Sequence, residues 1–166
     1  MKQSMQDAVN AQINAEIYSS YLYYSMASWY DAKGLPGFSH WMRIQAVEEM
    51  SHAHKLVKFL NDRNANVVLM AIDAPRLEWS SPLEVFDQVC DHEAHVTQLI
   101  NDLVDLAMRE SDHATYQFLQ WYITEQVEDE ATADEILQKL KLVEGAQGAL
   151  FLLDRDMATR VVTMPQ

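Results

Sequence analysis

Apolar residues recur every three or four positions along most of this chain, the spacing that places side chains on one face of an α-helix. Glycine and proline, the residues that interrupt helices, occur only four times each. The long intervals between them predict five helices, at about residues 4–33, 38–64, 82–110, 112–143 and 146–159. We therefore expect an all-α protein, a single domain over residues 1–166 in which four long helices precede a short fifth one.

Local residue types mark where these helices begin and end. The sequence Gly34-Leu35-Pro36-Gly37 separates the first helix from the second. The sequence Ser81-Pro82-Leu83-Glu84 is a capping box with proline at the first helical position, and it opens the third helix. Residues 83–144 contain neither glycine nor proline but are too long for one bundle helix. The polar run at 109–113 predicts a turn there, with Ser111 or Asp112 capping the fourth helix.

The connection between the second and third helices is unusually long. Residues 66–80 lose the helical period and contain Pro75. The second helix spans about 40 Å at 1.5 Å per residue, and fifteen extended residues reach about 50 Å. The segment is therefore long enough to travel the whole bundle, which would leave the second and third helices parallel.

Acidic residues interrupt the predicted buried seam of every long helix. One such residue stands among apolar neighbours in each of the four helices: Glu16, Glu49, Glu93 and Asp129. A buried carboxylate without a partner is very unfavourable, and no seam lysine or arginine stands at these levels. Two divalent cations would balance the four negative charges, and His52, three residues after Glu49 on the same face, adds a neutral nitrogen. Because carboxylates with imidazole suit Fe(II) or Mn(II), the pattern predicts a two-metal centre inside the bundle.

Several segments resemble motifs of the prokaryotic non-haem ferritin family. They lie in every predicted helix, at residues 14–23, 48–53, 91–93, 118–130 and 151–155. The resemblance covers almost the whole chain. It implies a ferritin-like four-helix bundle with one long crossover loop and a short fifth C-terminal helix.

The resemblance also implies which residues bind iron. The first iron would be held by Glu16, Glu49 and His52. The second would be held by the bridging Glu49, Glu93 and Asp129, with Gln126 as a ligand or hydrogen-bond partner. A third site on the inner surface would comprise Glu48, Glu125, Glu128 and Asp129. Tyr23 would lie beside the irons and could take part in the chemistry with Glu49 and His52.

Members of this family oxidise Fe(II) with O2 or H2O2 and store ferric mineral inside a shell of twenty-four subunits. The resemblance therefore implies a cytoplasmic ferroxidase that forms a homo-oligomer, with two irons per subunit and a further site for a third. Two features distinguish the fourth helix. Gln126 and Asp129 stand where haem-binding bacterioferritins carry a second Glu-x-x-His, so we expect no haem and interpret Met50 as a packing residue. Asp129 also replaces a glutamate common in similar proteins, which predicts a weaker second iron.

Charge and composition exclude some partners and leave other functions open. The net charge of −13 argues against a nucleic-acid surface. No segment approaches the ~18 consecutive apolar residues of a membrane span, and no secretory leader is visible. A rubrerythrin-like di-iron peroxidase or a non-catalytic structural bundle stays possible. The peroxidase would be expected to carry a second Glu-x-x-His, which is absent here.

Overall fold

The computed structural model describes residues 1–162 and contains five α-helices in this part of the chain. Their bounds are α1 Gln3–Ala32, α2 Pro36–Asp62, α3 Pro82–Glu110, α4 His113–Leu142 and α5 Gln147–Met157. Helix α1 packs along α2, α3 packs along α4, and α1 also contacts α3. The expected all-α bundle with a short fifth helix is confirmed. None of the helices within residues 1–162 is both long and apolar enough to cross a membrane.

The predicted capping residues lie at the starts of α3 and α4. The Ser81 side chain accepts a 3.1 Å hydrogen bond from the Glu84 backbone N–H. The return contact differs from a standard capping box, because the Glu84 carboxylate accepts from the N–H of Ser80, one residue earlier, at 2.6 Å. Asp112 caps α4 by accepting from the Thr115 N–H at 3.1 Å. Ser111 instead ends α3 in the left-handed conformation, with φ 55°.

The segment between α2 and α3 runs along α1 for most of its length. Near one end of α1, the Asn10 side chain donates to the carbonyl of Asn66 at 3.0 Å and accepts from the N–H of Val68 at 2.8 Å. Near the other end, the Ser25 hydroxyl donates to the carbonyl of Arg76 at 2.6 Å. The segment thus crosses the bundle lengthwise, and α2 and α3 run parallel as expected.

A polar layer separates two apolar halves of the bundle interior. One half is built from residues near the α1–α2 turn, among them Tyr23, Phe38 and Phe86. The other half lies towards the opposite end and includes Val9, Leu56, Ile100 and Leu119. On every long helix the chain passes from one apolar half to the other through an acidic residue of the seam. The fold therefore places the four seam acids at one level.

Helix α5 is fixed to the start of α2. Asp154 is buried and accepts a 2.9 Å hydrogen bond from the Phe38 N–H in the first turn of α2. Gly37 allows this approach, since a Cβ at that position would lie 1.6 Å from the Asp154 carbonyl oxygen. Leu153 and Met157 of α5 join the apolar half at this end of the bundle.

Candidate metal centre

Two groups of potential metal ligands meet in the polar layer, and they share one residue. The first group is Glu16, Glu49 and His52, and the second is Glu49, Glu93 and Asp129. Within each group, one ligand atom from every residue lies within 4.8 Å of the others. Glu49 belongs to both groups, so two cations bound there would be bridged by its carboxylate. The structure thus brings together the five residues that the sequence assigned to the first and second irons.

The first group lies wholly between α1 and α2. His52 Nδ1 is 3.6 Å from Glu49 Oε2 and 4.0 Å from Glu16 Oε2. All three side chains are buried. Gln12, one turn before Glu16, donates to Glu16 Oε1 at 2.8 Å and fixes that carboxylate. One carboxylate oxygen is thus held by an amide, and the other faces the centre.

The second group connects helices α2, α3 and α4, each of which carries one of its three residues. Glu93 of α3 is buried and accepts a hydrogen bond from the Tyr23 hydroxyl of α1. Asp129 of α4 is only half-buried, and its Oδ1 lies 3.5 Å from the Gln45 amide nitrogen. The Gln126 amide donates to Glu93 Oε2 at 3.3 Å. Gln126 therefore acts here through Glu93, as a hydrogen-bond partner.

Two carboxylate oxygens in this layer lack any hydrogen-bond donor. They are Glu16 Oε2 and Asp129 Oδ2, both inaccessible to solvent. A buried anionic oxygen without a donor is costly, and a divalent cation at each position would satisfy it. The oxygens fall one in each ligand group, so the residues present fit two cations of the hard, oxygen-preferring class.

Burial and mutual repulsion disturb the ionisation of these groups. Burial, strengthened by the neighbouring Glu49, raises the pKa of Glu16 to about 8 and that of Asp129 to about 7. Burial also raises the pKa of Glu93 well above its ordinary value. Burial alone would lower the pKa of His52, but the adjacent Glu49 outweighs it and raises that pKa to about 9. The metal-free centre therefore holds protons that bound cations would displace.

Tyr23 and His92 flank the second group in different ways. Tyr23 is fully buried, with its hydroxyl on Glu93 as described. His92 is half-buried on α3, next to Glu93. Its Nε2 lies 2.8 Å from the Ser19 hydroxyl, and its ring meets the Tyr23 ring edge-on at a centroid distance of 6.1 Å. His92 therefore helps to hold Tyr23 in place.

The expected third group does not assemble in the same way. Within residues 1–162, only the two groups already described place three or more ligand atoms within 4.8 Å of one another. Glu125 is half-buried and Glu128 is exposed, while the Glu48 carboxylate accepts from Arg160. The third site therefore stays a prediction.

Glu16 and Glu49 lie at similar depths along the α1–α2 hairpin. Glu16 lies sixteen residues before the end of α1 at Ala32, and Glu49 thirteen residues after the start of α2 at Pro36. The difference of three helical residues amounts to roughly 4.5 Å. The two side chains bridge this offset, because one ligand atom of each lies within 4.8 Å of the other.

Comparison with known proteins decides the family. The profile of the ferritin-like domain matches residues 6–143. The chain belongs to the ferritin family. The bacterial non-heme ferritin of Bacteroides fragilis is 40% identical over 160 residues, which cover 96% of this chain and 99% of that protein. The bacterial non-heme ferritin of Campylobacter jejuni is 38% identical, over 89% of this chain and 88% of that protein.

Solved ferritin structures agree with the fold in detail. An open pore ferritin from the hyperthermophilic archaeon Archaeoglobus fulgidus is 50% identical, with a TM-score of 0.96. The match covers 97% of this chain and 99% of that one. An engineered closed form of the same archaeal ferritin gives a TM-score of 0.97. The glutamate and histidine cluster of this ferritin chain is therefore compatible with a di-iron site.

Supporting residues of the centre were missed by the sequence analysis. Hydrogen bonds to the acidic residues or to Gln126 are made by Gln12, Gln45 and Thr97. Arg160, which follows α5 in the chain, donates a hydrogen bond to Glu48. The glutamines did carry a signal, since Gln12 and Gln45 each lie four residues before a seam glutamate. No sequence signal connects Arg160 with Glu48, because 112 residues separate them.

Proposed function

We propose that this chain is a ferroxidase subunit, which oxidises Fe(II) at the paired ligand groups and contributes to a shell that stores ferric iron. The observation that supports this most is the overlap of two ligand groups at Glu49. A single shared carboxylate holds two cations close together. Paired irons can supply two electrons to one oxidant molecule.

In this proposal the first iron binds Glu16, Glu49 and His52, and the second binds Glu49, Glu93 and Asp129. Gln126 orients Glu93, and Tyr23 donates a hydrogen bond to the same carboxylate. The ligands provide four carboxylates, whose charge two Fe(II) ions balance. The first iron would have three protein ligands, Glu16, Glu49 and His52, so a coordination position stays open for the oxidant.

The overall chemistry balances for either oxidant. Two Fe(II) become two Fe(III) and release two electrons. With two protons, these electrons reduce O2 to H2O2 or reduce H2O2 to two water molecules. The chain's own contribution is to hold both irons in the bundle interior, where the side chains of Tyr23, Glu93 and Tyr122 are buried.

We further propose that residues 1–166 form one ferritin-like domain that assembles with identical copies, in a cytoplasmic shell of twenty-four subunits. The α4–α5 region carries large apolar side chains that a monomer would leave in water. Leu142, Phe151 and Leu152 are 85%, 62% and 63% exposed. An apolar surface of this kind is typical of a protein interface.

The oxidation proposal is tested with the double variant Glu49→Gln/His52→Ala. The variant loses the bridging carboxylate and the only imidazole of the two groups, so fast Fe(II) oxidation should disappear while helix content persists. The measurement is an anaerobic Fe(II) titration followed by exposure to O2, read by absorbance. His54→Ala, an exposed histidine two residues further on, is the control and should oxidise iron like the parent. Unchanged oxidation in the double variant would refute the proposed centre.

The assembly proposal needs a separate measurement, because a metal centre can work in a smaller oligomer. Light scattering and electron microscopy of the purified chain should show a large hollow particle. Replacing Phe151 and Leu152 with serine should shift the population to smaller species at micromolar concentration. A stable monomer in the parent would contradict storage in a shell.

A further inference from the structure

The chain that follows α5 returns to the metal centre. Residues 158–162, here called the tail, follow α5, and Arg160 in this segment contacts α2. The carbonyl of Arg160 accepts a 2.9 Å hydrogen bond from His40 Nε2. The Arg160 guanidinium stacks on the Trp41 ring, 4.1 Å from its centroid. The tail is thereby fixed against the half of α2 that leads to the ligands.

The Arg160 side chain contacts two residues of α2 that precede the bridging ligand Glu49, one of them by four positions and the other by one. Its Nη2 donates to Gln45 Oε1 at 2.7 Å and to the Glu48 carboxylate. The ion pair is largely enclosed, with 19% of the Arg160 side chain and 9% of the Glu48 side chain exposed. An enclosed guanidinium that contacts a carboxylate through a short hydrogen bond neutralises it more effectively than a surface lysine would.

The contact with Gln45 carries into the two ligand groups. An amide has one accepting end and one donating end, so Arg160 on the Gln45 oxygen turns the nitrogen towards the ligands. That nitrogen donates to Glu49 Oε1 at 2.8 Å and lies 3.5 Å from Asp129 Oδ1. Arg160 thus sets the direction of a donor that acts on the bridging carboxylate.

The contact of Arg160 with Glu48 uses only one of the two terminal guanidinium nitrogens, Nη2. The second guanidinium nitrogen, Nη1, is buried without an acceptor. A fork that uses both nitrogens on one carboxylate would be harder to displace. Arg160 also stands outside any helix, so its departure breaks no helical turn.

We propose that Arg160 acts as a tethered cation on Glu48, so that a divalent ion binds at Glu48 only after Arg160 leaves it. The inference rests on the proposed function and adds to it the third site that the sequence resemblance predicts, with Glu48 as one of its ligands. Arg160 is a positioning residue: it touches neither of the two paired ligand groups and acts on Glu49 through Gln45. Filling of a third site would thereby be coupled to the position of the tail.

The test replaces Arg160 with a shorter, neutral polar side chain, in the variant Arg160→Gln. Zn²⁺ serves as the probe, since it does not change oxidation state, and binding is followed by titration calorimetry. The parent should bind two Zn²⁺ per subunit tightly and a third weakly. In Arg160→Gln the third should bind on the order of tenfold more tightly, since the Arg160 guanidinium no longer has to be displaced from Glu48. Anomalous diffraction at the zinc edge should show the added ion against Glu48.

Two further variants separate this role from a general effect on folding or charge. Arg160→Lys keeps the charge, so the third Zn²⁺ should bind about as weakly as in the parent. Arg155→Gln removes the same charge from an exposed position on α5 and should change neither stoichiometry nor affinity. If Arg160→Gln binds the third ion no better than the parent, or if Arg155→Gln has the same effect, the role of Arg160 is refuted. A parent that binds no Zn²⁺ at the paired groups would instead refute the proposed centre, and this inference with it.

Discussion

Asp154 of α5 accepts a hydrogen bond from the backbone N–H of Phe38 at 2.9 Å, so the last helix caps the start of the second. The residue before Phe38 has no side chain, and the Asp154 carbonyl occupies the space that one would take. The contact therefore depends on glycine at position 37 as much as on the acid.

Gly37→Ala should detach α5 from the bundle. The added carbon would lie 1.6 Å from the Asp154 carbonyl oxygen, and both are backbone-fixed, so α5 must move. Loss of the cap and of the Leu153 and Met157 contacts should cost roughly 3 kcal/mol of unfolding free energy. Thermal unfolding of the metal-free protein measures this. Gly148→Ala, with nothing within 4 Å of the added carbon, is the control and should be neutral or slightly stabilising.

Tyr23→Phe should slow Fe(II) oxidation several-fold. The hydroxyl of Tyr23 donates to Glu93, and its removal leaves that buried carboxylate with fewer donors and less fixed in position. Tyr30→Phe is a matched control, because Tyr30 is equally buried but donates to the Pro82 carbonyl away from the ligands. Stopped-flow oxidation should distinguish the two, and equal rates in both variants would assign Tyr23 to packing alone.

Asp129→Glu should tighten the second Fe(II) and leave the first nearly unchanged. Asp129 reaches within 4.8 Å of Glu49 and Glu93, but one of its buried oxygens has no donor and its side chain is only half-buried. A longer side chain brings the carboxylate about 1.5 Å further into the centre. Anaerobic titration should show the second affinity rising about tenfold. Equal, tight occupancy of both sites in the parent would contradict this.

The metal-free protein should lose stability as the pH rises from about 5 to 8. A carboxyl group whose pKa is higher in the folded chain contributes stability below its ordinary pKa and loses it as the pH passes the folded value. Glu16, with a pKa raised from 4.5 to about 8, and Asp129, raised from 3.8 to about 7, both follow this rule. His52, whose pKa is raised from 6.5 to about 9, acts in the same direction, whereas Glu49, whose pKa is lowered, changes stability only below its ordinary pKa of 4.5, outside this range.

Thermal unfolding in the presence of a chelator measures how the stability changes with pH. The variant Glu16→Gln should make this change smaller. Saturation with a divalent cation should reverse the slope, because the cation binds the deprotonated ligands. If the melting temperature of the metal-free protein is constant over this pH range, another contact already stabilises the charged carboxylates, and the prediction is wrong.

Much of the architecture could be predicted because its determinants are local. The cap at Asp112 and the proline at the start of α3 act within one turn of the residues that form them. The acidic residues of the seam were recognisable because one charged residue within an apolar stripe breaks a period that the sequence itself displays. Helical spacing then places Glu49 and His52 on one face without any knowledge of the tertiary structure.

The contacts of two residues near the centre could not be predicted, because helical spacing does not encode them. His92 is adjacent to Glu93 on α3, and α1 supplies its partners Ser19 and Tyr23. Arg160 lies beyond the helical pattern, and its partners become visible only when α5 is docked on α2. The position of the tail is a tertiary property, set by Asp154 and Gly37 together.

The lengthwise crossover divides the chain into two helical hairpins, α1–α2 and α3–α4. The first ligand group lies entirely within the first hairpin, whereas the second requires Glu93 and Asp129 from the other one. Folding can therefore complete the first group early, but the second comes into existence only when the hairpins dock, after the crossover segment has closed. A cation in the second group thus fastens one half of the molecule to the other, and its binding free energy adds to the free energy of docking.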